Sequence, residues 1–158
     1  MFLKCLGLFA VVSIAIYLVP GGAHFFELAN KMAMSQSEYM TVQKIYAGWS
    51  SFGVTIVAAL LLTLLHTFMV RRDRTAFLLS LVAFLCLAAT QGIFWTFTYP
   101  MNVASNHWTV TPADFEAARR QWEYSHAVNA VLTFVALVTI TASVVARKRD
   151  LAMMRAPE

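Results

Sequence analysis

Residues 46–70, YAGWSSFGVTIVAALLLTLLHTFMV, lead into RRDRT at 71–75 and then AFLLSLVAFLCLAATQGIFWTF at 76–97. An α-helix rises 1.5 Å per residue, so ~20 residues cross a hydrocarbon core of ~30 Å. Oil offers no partner for exposed N–H and C=O groups, so an apolar run of this length crosses as a helix. The arginine-rich turn is very short, which makes the two helices antiparallel neighbours.

Working outward, two further runs have the same character. Cys5 to Val19 is apolar apart from Ser13 and continues past Pro20 through Gly21 to Ala29, and Ala127 to Ala146 forms the last. The expected fold is all-α: a four-helix transmembrane bundle with partly helical outer connections. It forms a single integral membrane domain over 1–158, with helices at about 4–29, 38–70, 76–98 and 113–147. Composition agrees, since 59% of the 158 residues are hydrophobic and 13% charged, too few charges to cover a soluble globule.

Charge placement orients the bundle. Arg71, Arg72 and Arg74 fill the short turn and Arg147, Lys148 and Arg149 follow the last run. With Lys4 and Arg155 they put eight basic residues on one side against the acidic Asp73, Asp150 and Glu158. The other side carries Lys31, Lys44, Arg119 and Arg120 against Glu27, Glu38, Asp114, Glu116 and Glu123. By the positive-inside bias both termini are cytoplasmic, and the expected location is a membrane, a bacterial inner membrane. The net charge of +4 is thereby a topology signal, which leaves nucleic acid without support as a partner. The partners expected are the lipid bilayer, a hydrophobic aromatic small molecule, and a second copy or another membrane protein.

Lys4 before an apolar stretch, with Gly21-Gly22-Ala23 after it, imitates a signal peptide. Retention is expected, because polar residues recur at helical spacing beyond the run. Cys5 and Cys86 fall in different apolar runs and are expected as reduced thiols; no CxxC suggests thiol redox chemistry.

The longer connections lie on the outer side, where Ser35 is followed by Glu38 as in a capping box and Thr111-Pro112 opens another helix. Ionisable groups at the ends of spanning helices are costly unless they face a partner or a wet cavity, so they carry the functional signal. His24, Glu27 and Lys31 share one face of the first helix. Arg119, Trp122, His126, Asn129 and Thr133 form a polar stripe descending into the fourth, and Gln91, Trp95, Thr98 and Asn102 a face of the third. Trp49, Trp108 and Tyr124 fit an interfacial aromatic belt, and His66 an interface histidine near Arg71 and Arg72.

As an enzyme, the chain would use His126 as general base, with Arg119 and Asn102 stabilising oxyanion charge. Its ligand-binding residues would be His24, Glu27, Tyr46, Gln91, Trp95, Trp122 and Asn129. A ligand would enter from lipid between Trp95, Trp122 and Tyr46. The pairs His24/Glu27 and Glu123/His126 also match the way helical bundles present metal ligands, and His24 with His126 could flank a haem. No HExxH, phosphate loop, glycine fingerprint or serine nucleophile motif occurs.

The order Gly21-Gly-Ala-His-Phe-Phe-Glu27, then Pro100-Met-Asn102, then Trp122-Glu-Tyr-Ser-His126 resembles the anthrone-oxygenase-like family of small four-helix membrane proteins, a domain of unknown function in most bacterial members. The resemblance spans most of the chain. It implies a four-helix fold and, from some relatives, oxidation of a polycyclic phenol to a quinone, with Pro100, Asn102, Trp122 and His126 at the family's recurring positions. The family often has an arginine shortly after the histidine, where this chain has Ala130 and Val131. Two readings stay open: a membrane protein with a polar pocket in its outer half that binds or oxidises a quinone-like or phenolic small molecule, or a non-enzymatic assembly partner or structural component whose polar stripes are glue.

Overall fold

The computed structural model describes residues 2–153, with side chains to residue 146. The basic residues Arg147, Lys148 and Arg149 have no described side chains, and Arg155 and Glu158 lie outside the described residues altogether. The chain is all-α, with α1 at Phe2–Ala33, α2 at Gln36–Val42, α3 at Gly53–Met69, α4 at Arg74–Ile93, α5 at Tyr99–Ala104 and α6 at Phe115–Met153. Four segments are long and apolar enough to cross a membrane: Phe2–Ala33, Trp49–Met69, Arg74–Ala104 and Phe115–Ala146. α1 packs on α3 and α6, and α4 packs on α3 and α6, so the four spanning helices close a ring.

The packing is that of a protein solvated by oil. Core positions are held by small residues, Ala10, Ala59, Ala83 and Ala136, interleaved with Ile14, Ile56, Leu87 and Ile140. Large apolar side chains point outward instead, among them Phe9, Val57, Leu61, Phe68, Leu85 and Phe134. In water that distribution would leave much of the surface apolar; in a bilayer there is no hydrophobic drive between helices, and small residues let backbones approach and gain dispersion contact. Gly7 is the tightest such approach, since a Cβ there would stand 2.7 Å from Val144 Cγ2.

Two segments depart from continuous helix. Over 38–70, where one helix is expected, the chain breaks into α2, 3₁₀ turns at Gln43–Tyr46 and Trp49–Phe52, and α3. Gly48 takes φ +85°, a conformation open to glycine without strain, and so separates the two turns. In the third crossing, α4 loosens into a π-helical segment, Phe94–Thr98, ahead of Pro100. A proline ring crowds the carbonyl four residues back and offers no N–H, and a widened turn accommodates both defects. Gln121 Nε2 donates to Phe97 O at 3.0 Å and supplies a hydrogen bond within this segment from α6.

The two longer connections fold over one end of the bundle as a lid built on Tyr39, Trp108, Phe115, Ala118 and Trp122. Asn106, His107 and Trp108 are all left-handed, with φ of 46°, 56° and 61°. That conformation crowds Cβ against the following carbonyl, and Ser105 Oγ supports it by accepting the Trp108 N–H at 3.0 Å. The turn sends Trp108 inward against Tyr39 and Trp122, so Trp108 is a buried lid residue rather than part of an interfacial belt.

Candidate functional site

The polar faces of α1 and α6 meet in the half of the bundle beneath the lid. From Lys4 to His24 is about 30 Å of helix, and from His126 to Arg147 about 31 Å, so the two histidines reach the same depth from opposite chain directions. Just below them Gly21 faces Ala130, where a Cβ on the glycine would lie 3.5 Å from the Ala130 backbone. This close approach lets the rings above touch: His24 and His126 stack with centroids 4.2 Å apart and planes 28° from parallel.

Aromatic rings enclose the pair. Trp122 lies edge-on to both, 4.9 Å from His24 and 4.3 Å from His126. Tyr46 is 4.5 Å from His24, and Trp49 is 6.2 Å away beyond it. His24 is buried, whereas His126 keeps part of its surface exposed.

Lys31 sits at the centre of the charges. Its ammonium lies 2.9 Å from Glu123 Oε1, 3.2 Å from His24 Nδ1 and 3.8 Å from Glu27 Oε2, over the rings of Tyr46 and Trp122. The Tyr39 hydroxyl donates to Glu123 Oε1 at 2.9 Å, Gln43 Nε2 reaches the same oxygen at 3.5 Å, and the Tyr46 hydroxyl donates to Glu27. Burial, then the Glu123 carboxylate, pushes the Tyr39 phenol well above its ordinary range. Burial, then Glu27, does the same to Tyr46. Both phenols therefore remain donors at neutral pH.

The expected metal ligands thus gather around an ammonium. Lys31 takes Glu123, Glu27 and His24 Nδ1 as a cation would, while His126 offers its ring face to His24. Among the described residues, no group of three or more His, Cys, Asp or Glu side chains is disposed to hold a metal ion. The atoms that His24, Glu27 and Glu123 would offer a metal are engaged by Lys31 in this arrangement. The haem reading meets the same objection, because axial imidazoles must stand on opposite sides of a macrocycle and these two rings are in face contact.

The remaining site residues are distributed differently from the sequence expectation. Arg119 is buried one lid layer above, donating to Met34 O at 2.8 Å and to Glu116 Oε2 at 2.6 Å. Asn102 touches the cluster through Trp122, whose Nε1 donates to its Oδ1 at 2.7 Å. Asn129, one turn deeper, is buried with Oδ1 lacking a hydrogen-bond partner, as does Glu123 Oε2. Trp95 is 60% exposed and contacts Phe94 and Tyr99 instead. Gln91 bonds to Thr90 beside it. His66 is buried far below, its Nε2 3.4 Å from Ser143 Oγ.

Tyr39 and Gln43 were not expected at the site, and Lys31 was placed on its face without a role of its own. Lys31 shows a sequence signal, since it repeats the His24 and Glu27 face at the next turn; Tyr39 and Gln43 are four apart, but what they face depends on the lid's folding.

No family model, curated protein or solved structure matches the chain. What stands is the class: an all-α membrane protein, one bundle of four spanning helices with helical connectors. That is the part of the anthrone-oxygenase-like resemblance the architecture carries.

Proposed function

We infer that the outer half of this protein binds a quinone-like or phenolic small molecule and exchanges a proton with it through His126. The observation that carries the reading is the stacked His24/His126 pair, walled by Trp122 and Tyr46, in which His24 is buried and His126 is the part-exposed member. A neutral imidazole beside lipid suits a weakly acidic hydroxyl: the O–H bond breaks, the proton goes to an imidazole nitrogen, and the phenolate keeps the electron pair. Aromatic walls favour a flat ring, and the unpartnered Asn129 Oδ1 one turn deeper calls for a donor such as a second hydroxyl. Arg119 and Asn102 act in this reading by holding the lid and Trp122. The motif order shared with the anthrone-oxygenase-like family supports the same substrate class. The charge asymmetry supports cytoplasmic termini and an inner-membrane location, with the site facing outward.

The rival reading is a structural or assembly component, favoured by the convergence of Lys31, Tyr39 and Gln43 on Glu123 Oε1, which ties the lid to the bundle. Protein purified in mild detergent separates the two. Quenching of tryptophan fluorescence by 1-naphthol or a short-chain benzoquinone, lost in His126→Gln, is the expected result. Equal response of wild type and variant, with a second polypeptide always co-purifying, replaces this reading with the rival.

A further inference from the structure

Ammonium nitrogen has three N–H donors and no acceptor, so the 3.2 Å contact between Lys31 Nζ and His24 Nδ1 has one sense: lysine donates to a bare ring nitrogen. The Lys31 side chain cannot turn away freely. It is 1% exposed, anchored by Glu123 Oε1 at 2.9 Å and packed over Tyr46 and Trp122. The Glu123 carboxylate gives the buried ammonium its counter-ion.

We propose that Lys31 is the positioning residue of this site, holding His24 as the neutral tautomer protonated on Nε2 and leaving His126 as the member of the pair that takes up protons. A proton on His24 Nδ1 would set N–H against the ammonium. A charge on both rings would stack two cations 4.2 Å apart beside a third. The groups facing the pair are Glu27 and Lys31 from α1, Tyr46 and Trp49 from the 3₁₀ turns, and Trp122 and Glu123 from α6. The carboxylate oxygens nearest the cluster, Glu123 Oε1 and Glu27 Oε2, are engaged by Lys31 and by the Tyr39 and Tyr46 hydroxyls rather than by a His24 nitrogen. The use made of His126 rests on the proton-exchange reading above; the tautomer of His24 does not.

Nitrogen-15 spectra of histidine-labelled full-length protein in lipid nanodiscs test the assignment, with His24→Asn and His126→Gln identifying the signals. The expected wild-type spectrum has His24 with a bare Nδ1 and a protonated Nε2, unchanged from pH 5 to 8. Lys31→Met should shift His24 to mixed tautomers, and Lys31→Arg, which keeps the donors, should restore the single form. Because Lys31→Met strands Glu123, the Lys31→Met/Glu123→Gln protein is the folded reference. A wild-type His24 protonated on Nδ1, or doubly protonated, overturns the proposal. So does a tautomer that survives in the double variant. A His24 locked as stated in a protein whose His126→Gln variant still responds to 1-naphthol would overturn the proton-exchange reading and leave the lock standing.

Discussion

Lys31 and Glu123, 92 positions apart in the chain, meet at 2.9 Å with side-chain exposures of 1% and 0%. The pair joins α1 to α6 at the level where the lid begins, and Tyr39 and Gln43 bind the same carboxylate oxygen from the lid. Breaking such a pair from one side leaves an uncompensated charge. Lys31→Met or Glu123→Leu should therefore each destabilise by about 3–5 kcal/mol. The Lys31→Met/Glu123→Leu protein should lose much less than the sum of the two. Thermal unfolding of the four proteins in one detergent measures the cycle, and strictly additive losses would mean the two side chains do not interact.

The four crossings are legible in the sequence because lipid imposes one rule on every residue between Cys5 and Val19 or Ala76 and Phe97. The polar face of His24, Glu27 and Lys31 is legible for a similar reason, helical spacing. What Lys31 does with that face is not, since Glu123 and Tyr39 reach it only through tertiary folding. The break at Gly48 had a signal in the glycine itself, but Tyr39, Gln43, Tyr46 and Trp49 continue a helical spacing across it and mask the turn. Trp95 misleads in the opposite way: a spacing of four from Gln91 is true of regular helix, and the π segment that follows sets its ring on the surface with Tyr99.

Helix contact in the half of the bundle away from the lid depends on one hydrogen atom's worth of room. A methyl group at Gly7 would come within 2.7 Å of Val144 Cγ2 and 3.3 Å of His66 Cε1. Valine is stiff about χ1 and cannot swing its methyl aside cheaply. Gly7→Ala should lower stability by about 1–3 kcal/mol. At Gly22 an added Cβ meets nothing within 4 Å, so Gly22→Ala should be neutral or stabilising through helix propensity alone. Unfolding midpoints of the two single variants decide the point, and equal effects would place the α1–α6 contact elsewhere.

The lid's first helix has a pH dependence of known sign. Glu38 accepts from Ser35 Oγ and from the Ser35 backbone N–H at 2.6 and 2.8 Å, and these bonds hold its carboxyl below the ordinary glutamate value. A depressed carboxylate contributes its stability above the unfolded pKa and loses it as pH falls through the lower folded one. Acidification below the ordinary glutamate range should thus loosen the start of α2. Amide exchange at Ser35, after correction for the intrinsic rate, should speed up there in wild type and stay level in Glu38→Gln. An unchanged profile in wild type would show that the capping box does not persist in solution.

Orientation is the remaining expectation with a direct test, and the site's exposure to the outer compartment depends on it. Arg71, Arg72 and Arg74 cluster in one short turn, and three positive charges there resist translocation, which argues for a cytoplasmic turn. α2 stands at the opposite end of α3, so Ser37 must lie across the membrane from Arg72 in any bundle of this topology. Cys5 and Cys86 are free thiols and are replaced by serine before labelling. In sealed cells, an impermeant maleimide should then modify Ser37→Cys and spare Arg72→Cys, and the order should reverse in inverted vesicles. Labelling of both positions from one side would contradict the four-crossing bundle itself. A clean reversal would keep the bundle and turn the His24/His126 site toward the cytoplasm.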